Sequence, residues 1–209
     1  MTPQKRALDL ILSIPAAILG LPLIGLVALI LLIREGGPVL YVSERMKAPN
    51  QPFQLYKFRT MRPAQPGDGG GVTGGDKSDR MSAFHHKLRK SRLDELPQLW
   101  NVIRGDMSLV GPRPPLRVYV EDHPEIYREV LKSRPGVTGL ASLHFHRHEE
   151  FLLKSCETPS ETDTVYRRRC IPRKARLDLI YQKHQSVCGD ILLIVQTAAG
   201  VLFRRSGRP

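Results

Sequence analysis

The sequence predicts an α/β chain, mostly helical, whose N-terminus engages a membrane. Three observations predict it. Residues 10–33 carry no charged side chain. Residues 37–62 alternate apolar and polar positions around a turn signal. From residue 80 onward, apolar residues recur at helical spacing in several separate segments. The chain has 209 residues, 41% of them hydrophobic, enough for one domain with a real core and barely enough for two. It carries 32 Lys and Arg against 20 Asp and Glu, a net charge of +12. Such a surface attracts polyanions: nucleic acid, anionic lipid headgroups or phosphorylated substrates.

As a helix, the uncharged run would be about 36 Å long, enough to cross a hydrocarbon core of about 30 Å. Pro15 and Pro22 interrupt it, with Gly20 and Gly25 beside the second, and proline bends helices. Both flanks are basic: Lys5 and Arg6 before, then Arg34, Arg45 and Lys47. The positive-inside rule places both in the cytoplasm. A break at Pro22 satisfies that with two halves of about 18 Å, each too short to span. The residues alone leave the re-entrant hairpin and the simple span both open. Asp9 opens the run, where a charge stays near the interface. A cleaved signal peptide is disfavoured, because the apolar stretch exceeds the usual ~7–15 residues.

Two short strands are expected within 37–62, around a turn at Pro49-Asn50, with Val39, Tyr41, Phe53, Leu55 and Phe58 as apolar positions. The Gly- and Pro-rich stretch 63–79 reads as a mobile loop. It is not a phosphate-binding P-loop, since Asp76 stands between Gly75 and Lys77. Helices are expected over 80–91 and 95–104, the second with Leu96, Leu99, Trp100 and Ile103 on one face. Helical spacing returns around 115–133 and at Leu177, Ile180, Tyr181 and His184. The apolar stretch Ile191 to Phe203 is too short to span and reads as a core or interfacial helix. Cys156, Cys170 and Cys188 form no CxxC pair. They read as small, partly buried residues in a reducing compartment.

The chemistry-bearing segment is HKLRKSRLDELPQLWNVIRGDMSLVGPRPP, residues 86–115. It sets adjacent carboxylates, Asp94 and Glu95, between a basic helix and an arginine turn. The plain reading is local: Asp94 as a helix N-cap, Glu95 in the first turn, Pro97 tolerated there. The surroundings favour chemistry. Arg89, Lys90 and Arg92 precede the pair. Arg113 sits between Pro112 and Pro114, which hold its backbone so that its fork loses little freedom on gripping a phosphate. Arg134 recurs before Pro135-Gly136. Arginines converging on a carboxylate pair suit a diphosphate substrate with a hard divalent cation.

KFRTM (57–61), LDELPQLWNVIRGDMSLVGPRP (93–114) and RPGVTGLA (134–141) resemble, in order, the signature blocks of the bacterial sugar transferases, the monotopic phosphoglycosyl transferases. The likeness runs from near Lys5 past LDLIY (177–181). It implies an N-terminal re-entrant membrane helix (1–36, broken at Pro22) and a small cytoplasmic, membrane-associated catalytic domain (37–209) with interfacial helices. It places the chain on the cytoplasmic face of a bacterial inner membrane. The activity implied is transfer of a phosphosugar from a UDP-sugar to polyprenol phosphate, through a covalent aspartyl-phosphosugar, with UMP leaving and Mg2+ as cofactor. By position, Asp94 matches the nucleophile and Glu95 the magnesium ligand. Lys57, Arg59, Arg89, Arg113 and Arg134 match phosphate and nucleotide contacts. The partners implied are the UDP-sugar donor, the polyprenol phosphate acceptor, anionic lipid and, as an open option, a homodimer, but no nucleic acid.

The chain departs from the family pattern in three places. Leu21-Pro22 replaces the usual Ser-Pro, Arg92 replaces a small polar residue, and 142–176 matches poorly, which makes it the candidate region for sugar preference. Within it, His144, His146 and His148 alternate and would share one face of a strand. That face would be a zinc site or a polar, solvated edge. The cluster Arg167, Arg168, Arg169, Arg173, Lys174 and Arg176 reads as a contact for anionic headgroups or as a solvated face. The competing function, a membrane-tethered basic binding protein without catalytic activity, leaves LDEL and GPRP unexplained and lacks a nucleic-acid motif.

Overall fold

The computed structural model describes residues 1–62 and 80–202; the expected loop 63–79 lies outside them. Helix α1 (Pro3–Glu35) runs through Pro15 and Pro22 without interruption, so Pro22 does not end it. A helix loses one hydrogen bond at an internal proline and continues if its flanks are good helix formers. Thr2 caps its start by accepting from Lys5 N. It is the one described helix long and apolar enough to cross a membrane, with a mean hydropathy of 2.9 over its best window. Its ends are nevertheless buried: Lys5, Asp9 and Ser13 near the start, Val27 and Leu31 near the finish. Between them Ile14, Ile18, Leu19, Leu21 and Leu23 are exposed.

The expected hairpin is present. Strands β1 (Leu40–Ala48) and β2 (Gln51–Phe58) pair antiparallel around Pro49-Asn50, with a bulge between Met46 and Ala48. Phe53, Leu55 and Phe58 face inward. Helix α2 (Ala83–Lys90) starts at a Ser82 capping box closed by His85. Helix α3 (Gln98–Arg104) follows a 3-10 turn, Leu93–Glu95. Its buried face is Gln98, Asn101 and Val102, not the expected apolar face, and Trp100 is 56% exposed. Asn101 explains the rotation: its side-chain amide donates to Gln54 O and accepts from Tyr56 N, tying α3 to β2.

Strands β3 (Ser108–Val110) and β4 (Gly136–Thr138) form a parallel pair. Helices α4 (Arg117–Asp122) and α5 (Pro124–Val130) divide the expected segment at His123-Pro124. The histidine expectation fails: His144 ends helix α6 (Leu140–His144) and His146 and His148 lie on helix α7 (His146–Lys154). Helical rotation spreads residues two apart, so the three do not share a face. No grouping of three or more metal-binding side chains occurs among the described residues.

Helix α8 (Pro159–Val165), a π-helical turn (Tyr166–Cys170), helix α9 (Ile171–Lys183) and helix α10 (Val187–Leu202) are the last of the described elements. On α9 the buried stripe is Ile171, Ala175, Asp178 and Tyr181, while Ile180 is exposed. All three cysteines are free; Cys170 is buried but Cys188 is exposed. The main core joins Met46 of β1, Tyr119 and Val120 of α4, Tyr127, Val130 and Leu131 around α5, and Ile171 and Ala175 of α9.

Candidate active site

Asp94 and Glu95 sit on the 3-10 turn and are both buried, at 5% and 8% exposure. Neither side chain caps a helix, so the plain N-cap reading of Asp94 is not realised. The turn is entered through Arg92, which adopts a left-handed backbone at φ 59°, uncommon for a residue with a side chain.

That turn brings three cations onto Glu95. Lys57 Nζ lies 3.1 Å from Oε1, Arg113 Nη2 donates to the same oxygen at 3.2 Å, and Arg92 Nη1 donates to Oε2 at 3.2 Å. Lys57 comes from β2, one residue before buried Phe58. Arg113 comes from the turn after β3. Burial alone would raise the Glu95 pKa, but Arg113, Lys57 and Arg92 hold it well below the usual carboxylate range. Lys57 is itself perturbed: burial, then the Arg113 charge, lowers it to about 8, against the pull of both carboxylates.

Asp94 is treated differently by its surroundings. No hydrogen bond reaches its carboxyl among the described residues. Its pKa is raised, by burial first and the Glu95 charge second, with Lys57, Arg89 and Arg113 opposing. The site therefore pairs a carboxylate held ionised by three cations with a neighbour whose oxygens remain available. Asp94 therefore carries the more basic oxygens of the pair.

Three glycines explain how Arg113 is placed. A Cβ on Gly111 would lie 2.2 Å from Arg134 O, one on Gly136 2.1 Å from Gly111 N, and one on Gly139 2.1 Å from Gly111 O. The GPRP and RPGVTGLA blocks thus meet backbone to backbone, which side chains would forbid.

The other expected contacts lie elsewhere. Arg59 donates to the carbonyls of Glu35, Gly36 and Gly37 and so caps the end of α1. Arg89 donates to Met81 Sδ and reaches Asp94 only through its charge. The Arg134 guanidinium lies against Gly105, beside that of Arg6, at the far end of α3 from the carboxylates. Arg92 was not singled out as a site residue, although the sequence marks it as a departure from the family pattern just before LDEL. Of the basic cluster, Arg167 pairs with Asp122 and Asp163, and Lys174 with Glu149. Those two of the six cations are neutralised within the protein.

The family model for bacterial sugar transferase matches residues 1–204. Over 204 residues, 95% of this chain, it is 35% identical to the UDP-N-acetylgalactosamine-undecaprenyl-phosphate N-acetylgalactosaminephosphotransferase of Aeromonas hydrophila, spanning 43% of that protein's length. It is 34% identical, over 95% of itself and 70% of the relative, to the UDP-glucose:undecaprenyl-phosphate glucose-1-phosphate transferase of Caulobacter vibrioides. The exopolysaccharide production protein ExoY of Sinorhizobium fredii is 31% identical over 97% of this chain and 87% of its own length.

Proposed function

The chain belongs to the bacterial sugar transferases, and from that membership and the Asp94–Glu95 site we propose that it moves a phosphosugar from a UDP-sugar to undecaprenyl phosphate. The observation that carries the reading is the cationic clamp: Lys57, Arg92 and Arg113 hold Glu95 while Asp94 stays unbonded. An Asp94 oxygen attacks the β-phosphorus of the donor. The new bond is Asp94 O–P, the bond to the bridging oxygen breaks, and UMP leaves with both electrons of that bond. A phosphate oxygen of the lipid then attacks the same phosphorus, and Asp94 departs as carboxylate. Splitting one hard transfer into two easier steps is what a covalent intermediate achieves. In this reading Lys57 and Arg113 answer the negative charge that builds on the phosphoryl oxygens.

A magnesium ion fits this arrangement if it arrives with the donor. Oε1 of Glu95 already takes Lys57 and Arg113, whereas Oε2 takes Arg92 alone. One lone pair of Oε2 and the Asp94 oxygens therefore remain as hard ligands, and magnesium ordinarily uses one or two carboxylates with substrate phosphates. When bound, the ion would neutralise charge on the diphosphate.

The same reading assigns α1 to the cytoplasmic leaflet of a bacterial inner membrane as a re-entrant element. A straight span would leave its ends on opposite faces. Here Lys5, Asp9 and Ser13, and also Val27 and Leu31, are buried against one domain. Thirteen residues lie between Ser13 and Val27, about 21 Å of helix, short of a hydrocarbon core of about 30 Å. Both flanks being basic supports the same placement.

The test is UMP release in nanodiscs with undecaprenyl phosphate, magnesium and a panel of UDP-sugars, comparing wild type with Asp94→Asn. Magnesium-dependent release by wild type alone is expected, with a phosphosugar mass adduct on wild type when lipid is withheld. Equal activity of Asp94→Asn would refute the nucleophile assignment. DNA binding in place of UMP release would refute the enzyme reading.

A further inference from the structure

Arg113 also lines a cavity of ≈ 70 Å³, together with Arg45, Lys174 and Asp178 and the rings of Tyr119 and Tyr166. The volume exceeds the ~10–15 Å³ that one ordered water requires. Two of the cations are already answered: Arg113 by Glu95, and Lys174 by Glu149 at 2.9 Å and Tyr166 Oη at 3.3 Å. The other two charged groups are not. Arg45 Nε and Asp178 Oδ1 are both buried without a hydrogen-bond partner, and no ion pair joins the two residues. Burial pushes the Asp178 carboxyl up to about 7, with only the Lys174 charge opposing it. The Tyr119 and Tyr166 rings, with centroids 5.1 Å apart, give the cavity flat apolar wall.

An orphaned N–H and an orphaned carboxyl oxygen in one small cavity ask for a ligand that accepts at one atom and donates at the next. A fully ionised phosphate fails this test because it offers acceptors only, and a fatty chain fails because it offers neither donor nor acceptor. A planar amide satisfies both, its carbonyl toward Arg45 and its N–H toward Asp178. We propose that this cavity is a recognition subsite for an amide-type group of the nucleotide-sugar donor, in which Arg45 donates to a carbonyl and Asp178 accepts from the adjoining N–H. Two parts of such donors carry that chemistry: the imide edge of a uracil base and the acetamido group of an N-acetylated sugar. The proposal rests on the reading of the chain as a nucleotide-sugar transferase and deepens it. Arg45 and Asp178 are specificity residues in this account and take no part in bond making. Tyr166 and Lys174 belong to the segment that departs from the family pattern, which suits a wall that differs between relatives.

The experiment is calorimetric binding to the full chain in nanodiscs, with UMP against CMP, UDP-N-acetylglucosamine against UDP-glucose, and magnesium pyrophosphate as a ligand without amide chemistry. Wild type is expected to discriminate within one of the two pairs. Asp178→Ala should abolish that discrimination by weakening the favoured ligand ~10-fold or more, while pyrophosphate affinity stays unchanged. Asp178→Asn keeps an acceptor oxygen and should retain the preference, which a merely structural role for the carboxylate would not require. Loss within the UMP–CMP pair assigns the subsite to the base, and loss within the sugar pair assigns it to the acetamido group. Absence of discrimination by wild type in both pairs overturns the proposal, as does an equal loss for pyrophosphate or an Asp178→Ala protein that discriminates like wild type. Wild-type UMP release, measured alongside, separates this failure from failure of the transferase reading.

Discussion

Lys57 holds its proton weakly. Burial and the Arg113 charge bring its pKa from 10.5 to about 8, and its Nζ is one of the two contacts on Glu95 Oε1. Between about pH 7 and 9 the ammonium therefore disappears from the free enzyme, and with it one of the cations beside the Asp94–Glu95 pair, which in the proposed function would face the donor diphosphate. With a pKa of about 8, roughly one molecule in eleven keeps the charge at about pH 9. The expected result is a fall in kcat/KM of about 10-fold between about pH 7 and 9, because that ratio reports free-enzyme ionisations. The profile of kcat should hold to higher pH, since a bound diphosphate restores the lysine's affinity for its proton. Lys57→Arg replaces the group with one that stays charged throughout, so its profile should be flat over this range even if its maximum is lower. Initial rates of UMP release at fixed ionic strength measure both profiles. Stability moves the opposite way: from about 8 to 10.5 the unfolded chain keeps a proton that the folded one has released, so stability rises with pH there. A wild-type kcat/KM that is flat beyond about pH 9, or a Lys57→Arg profile with the same alkaline midpoint, would refute the reasoning.

Three further outcomes follow from buried contacts. Gly111→Ala would place a Cβ 2.2 Å from Arg134 O, an overlap with backbone that costs at least ~1–3 kcal/mol and should lower the thermal midpoint together with activity. Lys5→Met strands Asp190, whose side chain is 1% exposed and 2.6 Å from Lys5 Nζ. A loss of ~3–5 kcal/mol is expected, and Lys5→Met with Asp190→Leu should recover much of it in denaturant melts; no recovery would mean that the pair is not the cause. Asp178 keeps in the folded protein a proton that the unfolded chain releases near 3.8, so wild-type stability falls as pH rises from there to about 7. Asp178→Asn should therefore be the more stable protein above about pH 7, by up to about 4 kcal/mol, with the difference vanishing near pH 4.

The hairpin and the carboxylate pair were legible because each is a local statement: alternation around Pro49-Asn50, and an acidic dyad between basic blocks. What was not legible depends on tertiary choice. The pair β3–β4 has three residues per strand, too few for periodicity to register. The face of α3 turned away from its apolar stripe because Asn101 bonds the β2 backbone, and no hydropathy pattern marks a polar side chain as the buried one. The alternating histidines suggested a strand because period two was read without the helix formers around them. Arg59 and Arg134 sit in motif blocks, yet a long flexible side chain reaches several places, and the sequence carries no sign of which. Arg113 lies beside the dyad, 3.2 Å from Glu95 Oε1, and prolines on both sides leave its backbone little choice.

The first turns of α1 explain why this long apolar helix belongs to the site at all. Arg6 donates to Val102 O and Ile103 O at 2.6 and 2.7 Å in the last turn of α3, where Val102 O also accepts from Gly105 N at 3.0 Å. Asp9, expected near the lipid interface, is instead buried in the domain, where Oδ1 accepts from Ser108 Oγ and Leu109 N at 3.0 Å each. Lys5 reaches Tyr181 and Asp190. Helix α3 begins three residues after Glu95, and Arg113 follows three residues after the end of β3, so Arg6 and Asp9 grip the two arms from which the clamp is built. A shift of α1 along its axis would pull on both arms together. In the proposed function this coupling sets the height of Asp94 above the bilayer by the depth of α1, so that a lipid phosphate at headgroup level meets a nucleophile held at the same level.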